Sequence, residues 1–314
     1  MAGASRLGVW LFGLWIVWAA PASADPLPVT EVAPGVFVHA GLHEDTDAAN
    51  AGDIANCGFI VGDDAVAVID TGGSPAVGRR LREAIRARTD RPIRYVVNTH
   101  MHPDHVLGNA AFLADKPGAD QPDFVAHRNF QAALMARGNH YLRAFDAAVG
   151  REAGAEVRIV PPTVTVADRL ELDLGRRVVE LVARPVAHTD NDLTLFDRQT
   201  ATLWAGDLLF MERAPAIDGS VLGWLRLLDS LGAEPAARVV PGHGPPSAPW
   251  PEAARDLRRY LERVVAGVRA VQAAHGTIQQ AAGTVAADEA PRWRLFDSYN
   301  PRNVTAAFAE LEWE

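Results

Sequence analysis

The chain has a single cysteine, Cys57, so it can close no disulfide within itself and must hold its fold by burial and hydrogen bonding. It has no long Gly/Ser/Pro linker, no repeat at a fixed period and no low-complexity tract, so nothing marks a division into separately folded parts. Clustered basic residues are also missing. The arginines are scattered among acidic residues along stretches of helical spacing, which removes the polyanion-binding face that a nucleic-acid partner would need. Cys57 leads into the apolar run Cys57-Gly58-Phe59-Ile60-Val61 and reads as an inert buried thiol.

The longest apolar run at the start, Leu7 to Trp18, is short for a bilayer span. Arg6 precedes it and Ala22-Ser23-Ala24 follows with the small-x-small form of a cleavage site, so residues 1–24 are expected to be a signal peptide for a periplasmic or secreted protein. An uncleaved N-terminal anchor is the alternative. Without a twin-arginine pair, export would be of the unfolded chain, and any metal would be loaded afterwards. Membrane contact is expected only through this segment before cleavage. The remainder, 25–314, reads as one continuous domain. The whole chain carries a net charge of −9; without Arg6, the only charge in the first 24 residues, 29 basic side chains face 39 acidic ones, a net charge of −10.

What is present is an alternation of short apolar runs and helical spacings. Strands are expected at Val36–Val38, Cys57–Val61 and Ala65–Asp70, a helix from Val77 to Arg88, then a strand through Tyr95 to Asn98. A short helical stretch (Val106 to Leu113), a strand (Phe124–His127) and a helix (Asn129 to Phe145) follow. From Thr163 to Ala205 strands dominate, implying a second sheet. Helices to Leu231, from Glu252 to Ala274 and from Asn303 to Leu311 close the chain around one strand at Arg238–Val240. Strand-then-helix order with two sheet-rich halves predicts an α/β layered fold with a core between the sheets.

The strand at Tyr95 to Asn98 empties into His100-Met101-His102-Pro103-Asp104-His105. Three imidazoles and a carboxylate within six positions outline a metal site, and the turn of the chain lets them serve two ions. Three later places sit where strands are expected to end: His188 in Ala187-His188-Thr189, Asp207 in Ala205-Gly206-Asp207, and His243 in Pro241-Gly242-His243-Gly244. Small residues beside each would let backbone approach an ion closely. Asp70 reads equally as a site residue or as a turn-fixing aspartate. His127 and His140 read as structural or solvent-facing, and Arg213, Trp224 and Trp250 follow the metal loops as substrate-side candidates that are not taken as site residues, a tryptophan being more often packing than recognition.

These motifs resemble the metallo-β-lactamase superfamily, whose pattern is His-x-His-x-Asp-His followed by His, Asp and His. The resemblance covers essentially all of 25–314 and implies a four-layer αβ/βα sandwich. It implies two zinc ions: His100, His102 and His188 as ligands of the first, Asp104, His105 and His243 of the second, and Asp207 bridging. An aspartate at 207 in place of the cysteine of the best-known antibiotic-hydrolysing members favours a glyoxalase-II-like arrangement. The run from Asn98 to Asn109 and the closing Asn303-Val304-Thr305-Ala306-Ala307-Phe308 look most similar to exported zinc hydrolases of sulfur-oxidation and quinoprotein-relay systems. What this implies is a periplasmic hydrolase that uses a metal-bound hydroxide on a small carbonyl substrate (thioester, ester or lactam), with Asp104 as the catalytic proton carrier and an anionic substrate drawn by the zincs. No protein partner is indicated. An iron-dependent oxidoreductase and a non-catalytic metal-binding accessory protein are the competing readings.

Overall fold

The computed structural model describes residues 25–114 and 121–313; the expected signal peptide at 1–24 lies outside them. Seven strands follow one another across the first sheet: β1 (Thr30–Ala33), β2 (Val36–His39), β3 (Cys57–Val61), β4 (Val66–Ile69), β5 (Ile93–Val97), β6 (Asp123–His127) and β7 (Val164–Val166). The first four pair antiparallel and β4 to β7 pair parallel. The second sheet is built from β8 (Arg169–Asp173), β9 (Val178–Ala183), β10 (Leu193–Asp197), β11 (Thr202–Phe210), β12 (Arg238–His243) and the short β13 (Ala248–Pro249), in the order β13-β12-β11-β10-β9-β8. The helices are α1 (Pro75–Arg86), α2 (Pro103–Val106), α3 (Phe130–Val149), α4 (Arg151–Gly154), α5 (Val221–Gly232), α6 (Arg255–Ala273), α7 (Ile278–Thr284) and α8 (Phe296–Leu311).

Two-residue periodicity explains the layering. In β4 and the residue before it, Ala65, Ala67 and Ile69 face the second sheet, where they meet Leu181, Leu195, Trp204 and Val240. Val66 and Val68 face outward onto Val77, Leu81, Ala84 and Ile85 of α1. Strands buried on both faces read as unbroken apolar runs, as β4 and β11 do. On the far side of the second sheet, Leu203, Ala205 and Val239 pack against Trp224 of α5, Leu257 and Leu261 of α6 and Val304 of α8. The result is helix, sheet, sheet, helix: the expected four-layer αβ/βα sandwich. Trp204 lies between the sheets, and truncating so large a buried side chain costs about 3–5 kcal/mol.

Polar contacts tie the layers together at the end away from the metal motifs. Arg177 is buried and spends four N–H groups, donating to both oxygens of Asp197 at 3.1 and 2.7 Å and to the carbonyls of Pro34 and Val61. α1 begins where Ser74 accepts from the Val77 amide and Pro75 takes the first turn.

The elements differ from expectation in two informative places. β11 runs on to Phe210 instead of ending at Ala205, because Gly206 takes a positive φ of 53° and shifts the register against β12. α8 starts at Phe296, so Pro301 sits inside it. Buried Asn300, just before the proline, accepts from Tyr260 Oη and donates to the Val285 carbonyl, so tertiary contacts hold the turn ahead of Asn303 in the helix.

Candidate metal centre

The seven histidine and aspartate positions meet at one edge of the sandwich. β5 ends at Val97, and the turn after it carries His100 and His102; His102 caps α2, whose first turn holds Asp104 and His105. His188 lies in the loop between β9 and β10, and His243 is the last residue of β12. Asp207 was expected past a strand end and instead sits inside bulged β11. Two groups of donor atoms result, each within 4.8 Å of one another: His100, His102, His188 and Asp207, and Asp104, His105 and His243.

In the first group the outer ring nitrogens fix the tautomers. His188 Nδ1 lies 2.7 Å from the Ala216 carbonyl, which can only accept, so the nitrogen donates. His102 Nε2 donates to Asp218 Oδ2 at 3.0 Å. His100 Nδ1 is 3.1 Å from Thr99 Oγ1, whose own proton goes to Asp70 Oδ2 at 2.7 Å. Each neutral ring is thereby left with a lone pair on its inner nitrogen. Those inner atoms, His100 Nε2, His102 Nδ1 and His188 Nε2, converge, with His102 Nδ1 3.1 and 3.0 Å from the other two. Burial foremost keeps His100 well below its ordinary pKa and takes His188 down to about 3, so both rings are neutral donors.

The second group repeats the logic. His105 Nδ1 lies 2.8 Å from Asp70 Oδ2 and His243 Nδ1 2.8 Å from the Ile54 carbonyl, which turns both Nε2 atoms inward. His243 Nε2 is 3.3 Å from Asp104 Oδ2. Asp207 stands between the groups: its carboxylate is 3.4 Å from His188 Nε2, 3.6 Å from His100 Nε2, 3.0 Å from His105 Nε2 and 3.5 Å from His243 Nε2. His105 Nε2 and Asp207 Oδ1 are both buried and, although close, are not aligned as donor and acceptor. Orphaned buried atoms and lone pairs aimed at common points are what a divalent cation would satisfy, and nitrogen with carboxylate oxygen suits zinc.

The charges agree. Burial opposes the charged forms of Asp207 and Asp104, yet neighbouring histidines outweigh it and hold both carboxyls well below the usual range. Burial also opposes charge on His105, but Asp207, Asp70 and Asp104 hold its imidazolium well above the ordinary pKa. A proton there does part of the neutralising that a metal would do.

Several residues outside the motifs organise the centre. Asp70, held at φ 52°, accepts from the Thr99 amide, Thr99 Oγ1 and His105 Nδ1; it is a support for the donors, beyond the turn role its sequence position suggested. Asp218, which also pairs with Arg137 of α3, is drawn down to about 2 because bonds from His102 and Arg137 outweigh its burial. A lone aspartate far along the chain offered no sequence signal for this. Gly242 is required sterically, since a Cβ there would collide with Asp207 Oδ1. Phe210 stacks on the His243 ring at 5.0 Å and Trp224 lies edge-on to His188 at 5.3 Å. Trp224 and Trp250 are packing residues, each donating its indole N–H to a backbone carbonyl. Cys57 is buried, which pushes its thiol pKa up and leaves it inert. His140 is exposed and His127 is spent on the Asn129 amide.

A cleft of about 250 Å³ opens onto the centre, with His102, Asp104, Asp207 and His243 on one side and Ile54, Phe210, Arg213 and Tyr299 around it. Asp104 is the more open of the two central carboxylates, its side chain 15% exposed against 4% for Asp207.

A family model described as the metallo-beta-lactamase superfamily matches residues 51–243. The linear primary-alkylsulfatase of Pseudomonas sp. (strain ATCC 19151) is 23% identical over 209 residues, which are 57% of this chain and 39% of that protein. The chain thus spans well under half of that relative's length. Among solved structures, the stereoselective inverting sec-alkylsulfatase from Pseudomonas sp. superposes with a TM-score of 0.68 at 17% identity, covering 90% of this chain and 50% of that one. The metallo-beta-lactamase from Pontibacter korlensis superposes with a TM-score of 0.59 at 19% identity, covering 75% of this chain and 99% of that one. At these identities the structural likeness is one of fold.

Proposed function

The chain belongs to the metallo-beta-lactamase superfamily, and from that premise we propose that it is a dinuclear zinc hydrolase of small esters, thioesters or lactams. His100 Nε2, His102 Nδ1 and His188 Nε2 would hold one ion, Asp104, His105 Nε2 and His243 Nε2 the other, and Asp207 both. The observation that carries this reading is the convergence of histidine ring nitrogens whose opposite nitrogens are committed to Asp218, Asp70 and backbone carbonyls, with Asp207 between the two groups. Bound there, zinc would supply Lewis acidity and bring the pKa of water down to about 7.

The protein's own part is positional and protonic. The cleft admits the substrate carbonyl beside Asp104. As water oxygen adds to the carbonyl carbon, the Asp104 carboxylate accepts the water proton; as the bond to the leaving sulfur, oxygen or nitrogen breaks, Asp104 returns that proton to it. Buried Phe210, Trp224 and Ile54 keep bulk water from the rear of the rings. A periplasmic location is part of this proposal and is supported only by the sequence of residues 1–24; association with a sulfur-oxidation or quinoprotein system is supported by the motif resemblance alone.

Sulfate-ester hydrolysis is a second reading, favoured by one observation. The alkylsulfatase likeness extends over 90% of this chain whereas the metallo-beta-lactamase one covers 75%. The test is to purify the protein without added metal, measure zinc and iron by mass spectrometry, and offer thioesters, aryl esters, a chromogenic cephalosporin and an alkyl sulfate. Turnover of any carbonyl substrate by the two-zinc protein supports the proposal, turnover of the alkyl sulfate alone favours the second reading, and inertness of the two-zinc protein toward the whole panel sinks both.

A further inference from the structure

α8 buries one face, formed by Phe296, Asn300, Asn303, Val304, Ala307 and Leu311. Two of these side chains are amides, and a buried amide costs stability unless its polar atoms are bonded. Asn300 spends its own within the helical layer, on Tyr260 and the Val285 carbonyl. Asn303, 2% exposed, reaches out of that layer. It donates to the Pro215 carbonyl at 2.7 Å and accepts from the Ile217 amide at 2.9 Å. A carbonyl can only accept and a backbone amide can only donate, so the orientation of the Asn303 side chain is settled. Its other N–H goes to the Tyr260 hydroxyl at 2.9 Å. An apolar residue would pack against Val304 and Ala307, but it would leave the strap at 215–217 without its partners.

Pro215 and Ile217 bracket Ala216, whose carbonyl holds His188 Nδ1 at 2.7 Å. The same strap, between β11 and α5, carries the rest of the outer support of the first donor group. Asp218 accepts from His102 Nε2 at 3.0 Å, its amide donates to the His188 carbonyl at 3.1 Å, and the Ser220 amide donates to the Ala187 carbonyl at 2.8 Å. Gly219 lies flat against that loop, since a Cβ there would come within 2.5 Å of the Ala187 carbonyl oxygen. α8 grips the strap again two turns on, where Glu310 accepts from Ser220 Oγ and the Val221 amide. The second donor group is held by other residues. His105 leans on Asp70, and His243 on the Ile54 carbonyl and Arg213, none of which Asn303 bonds. Asn303 also lies beyond the residues 51–243 that the family model matches.

We infer that Asn303 is a positioning residue for the first metal: by bracketing Ala216 it sets where the strap presents its acceptors, and so where His188 and His102 point their inner nitrogens. The inference rests on the metal-binding part of the hydrolase reading and not on its substrate. A core asparagine that only packs would change stability alone. One that positions changes one half of the centre and spares the other, because outer partners of ligating histidines set both ring orientation and metal affinity.

The test compares the full-length protein with its Asn303→Ala and Tyr260→Phe variants. Tyr260→Phe removes the hydroxyl behind Asn303 and leaves both bonds to the strap, so it controls for lost stability. Proton NMR of the metal-free proteins follows the Nδ1 proton of His188, assigned by its absence in His188→Gln, which exchanges slowly with water while the Ala216 carbonyl holds it. Zinc titration against a competing chelator gives two dissociation constants. In Asn303→Ala that proton is expected to exchange at least about tenfold faster, and one zinc constant to weaken about tenfold with the other unchanged. A folded Asn303→Ala with unaltered exchange and unaltered constants would overturn the inference, as would equal changes in Tyr260→Phe. Faster exchange in Asn303→Ala, with no zinc bound by the unmutated protein, would leave the positioning role standing and sink the two-zinc reading. Should Asn303→Ala fail to fold, Asn303→Asp keeps the acceptor for Ile217 and sets an oxygen against the Pro215 carbonyl; about a threefold weakening of one zinc is expected there, and none would overturn the role.

Discussion

His102 Nδ1 and His188 Nε2 stand 3.0 Å apart, with His102 Nε2 turned to Asp218 and His188 Nδ1 to the Ala216 carbonyl. The surrounding fold holds these two inner nitrogens at one point. A cation would satisfy both in the native state and finds no such arrangement in the unfolded chain. Zinc should therefore stabilise strongly: free ion at a thousand times its Kd adds about 4 kcal/mol for one site. Scanning calorimetry with zinc and with excess chelator should show a higher melting temperature with zinc; identical melting temperatures would refute an ordered site.

Asp70→Asn keeps the shape and removes one acceptor. Asp70 now takes protons from the Thr99 amide, Thr99 Oγ1 and His105 Nδ1, the last at 2.8 Å. The carboxamide offers a single acceptor oxygen and turns N–H groups toward the rest, which favours the His105 tautomer that points its proton into the centre. Metal content by mass spectrometry should fall from about two zincs toward one, with a loss of about 1–3 kcal/mol in stability. Two tightly held zincs in the variant would show that the carboxylate does not orient His105.

Gly242→Ala probes the bulge. The added methyl would occupy the place of Asp207 Oδ1, so the aspartate must turn away from the point where the two groups meet. We expect kcat/KM to fall by at least about tenfold while the urea midpoint reports a cost of only about 1–3 kcal/mol. A variant with full activity would place the bridging atom elsewhere.

The loop that carries His188 contains a carboxyl with unusual pH behaviour. Asp192 accepts from the Thr189 amide at 2.9 Å and from Thr189 Oγ1 at 2.6 Å, yet burial, aided by Asp207 and Asp190, pushes its pKa up to about 8. An aspartate in the unfolded chain titrates near pH 4. Between those values the native state binds a proton that the unfolded state has lost, so this contribution is complete below about pH 4 and is lost as pH rises through about 8. Asp192→Asn has no such proton to lose. Melting temperatures measured from pH 5 to pH 9 should shift progressively in favour of the variant; a constant offset across that range would argue against the raised carboxyl.

Most of the centre was legible because its residues are chemically unusual and locally spaced. Three histidines and an aspartate within six positions announce themselves, and the glycines beside Asp207 and His243 follow from the steric needs of a crowded edge. The layered fold was legible from apolar runs of strand length separated by helical periods. What stayed hidden depends on distant contacts. Asp218 reaches His102 across more than a hundred residues of sequence, and nothing near it hints at the pairing. Short β1 and β13 exist only as additions to sheets built by others, and the seven-residue α7 was overlooked although Thr277 and Gln280 cap it reciprocally. Arg213 is only a candidate in the sequence, because one arginine after a strand carries no pattern; its burial beside His243 is visible in three dimensions alone.

The placement of Tyr299 on α8 bears on how such an enzyme diversifies. Every donor atom of the metal centre is encoded by His243 or earlier, whereas one wall of the cleft is encoded after it. Substitutions at that wall can therefore reshape what the cleft accepts while the donors themselves are inherited unaltered. That one wall and the metal donors thus occupy separate stretches of the gene, and the wall can vary without moving a donor.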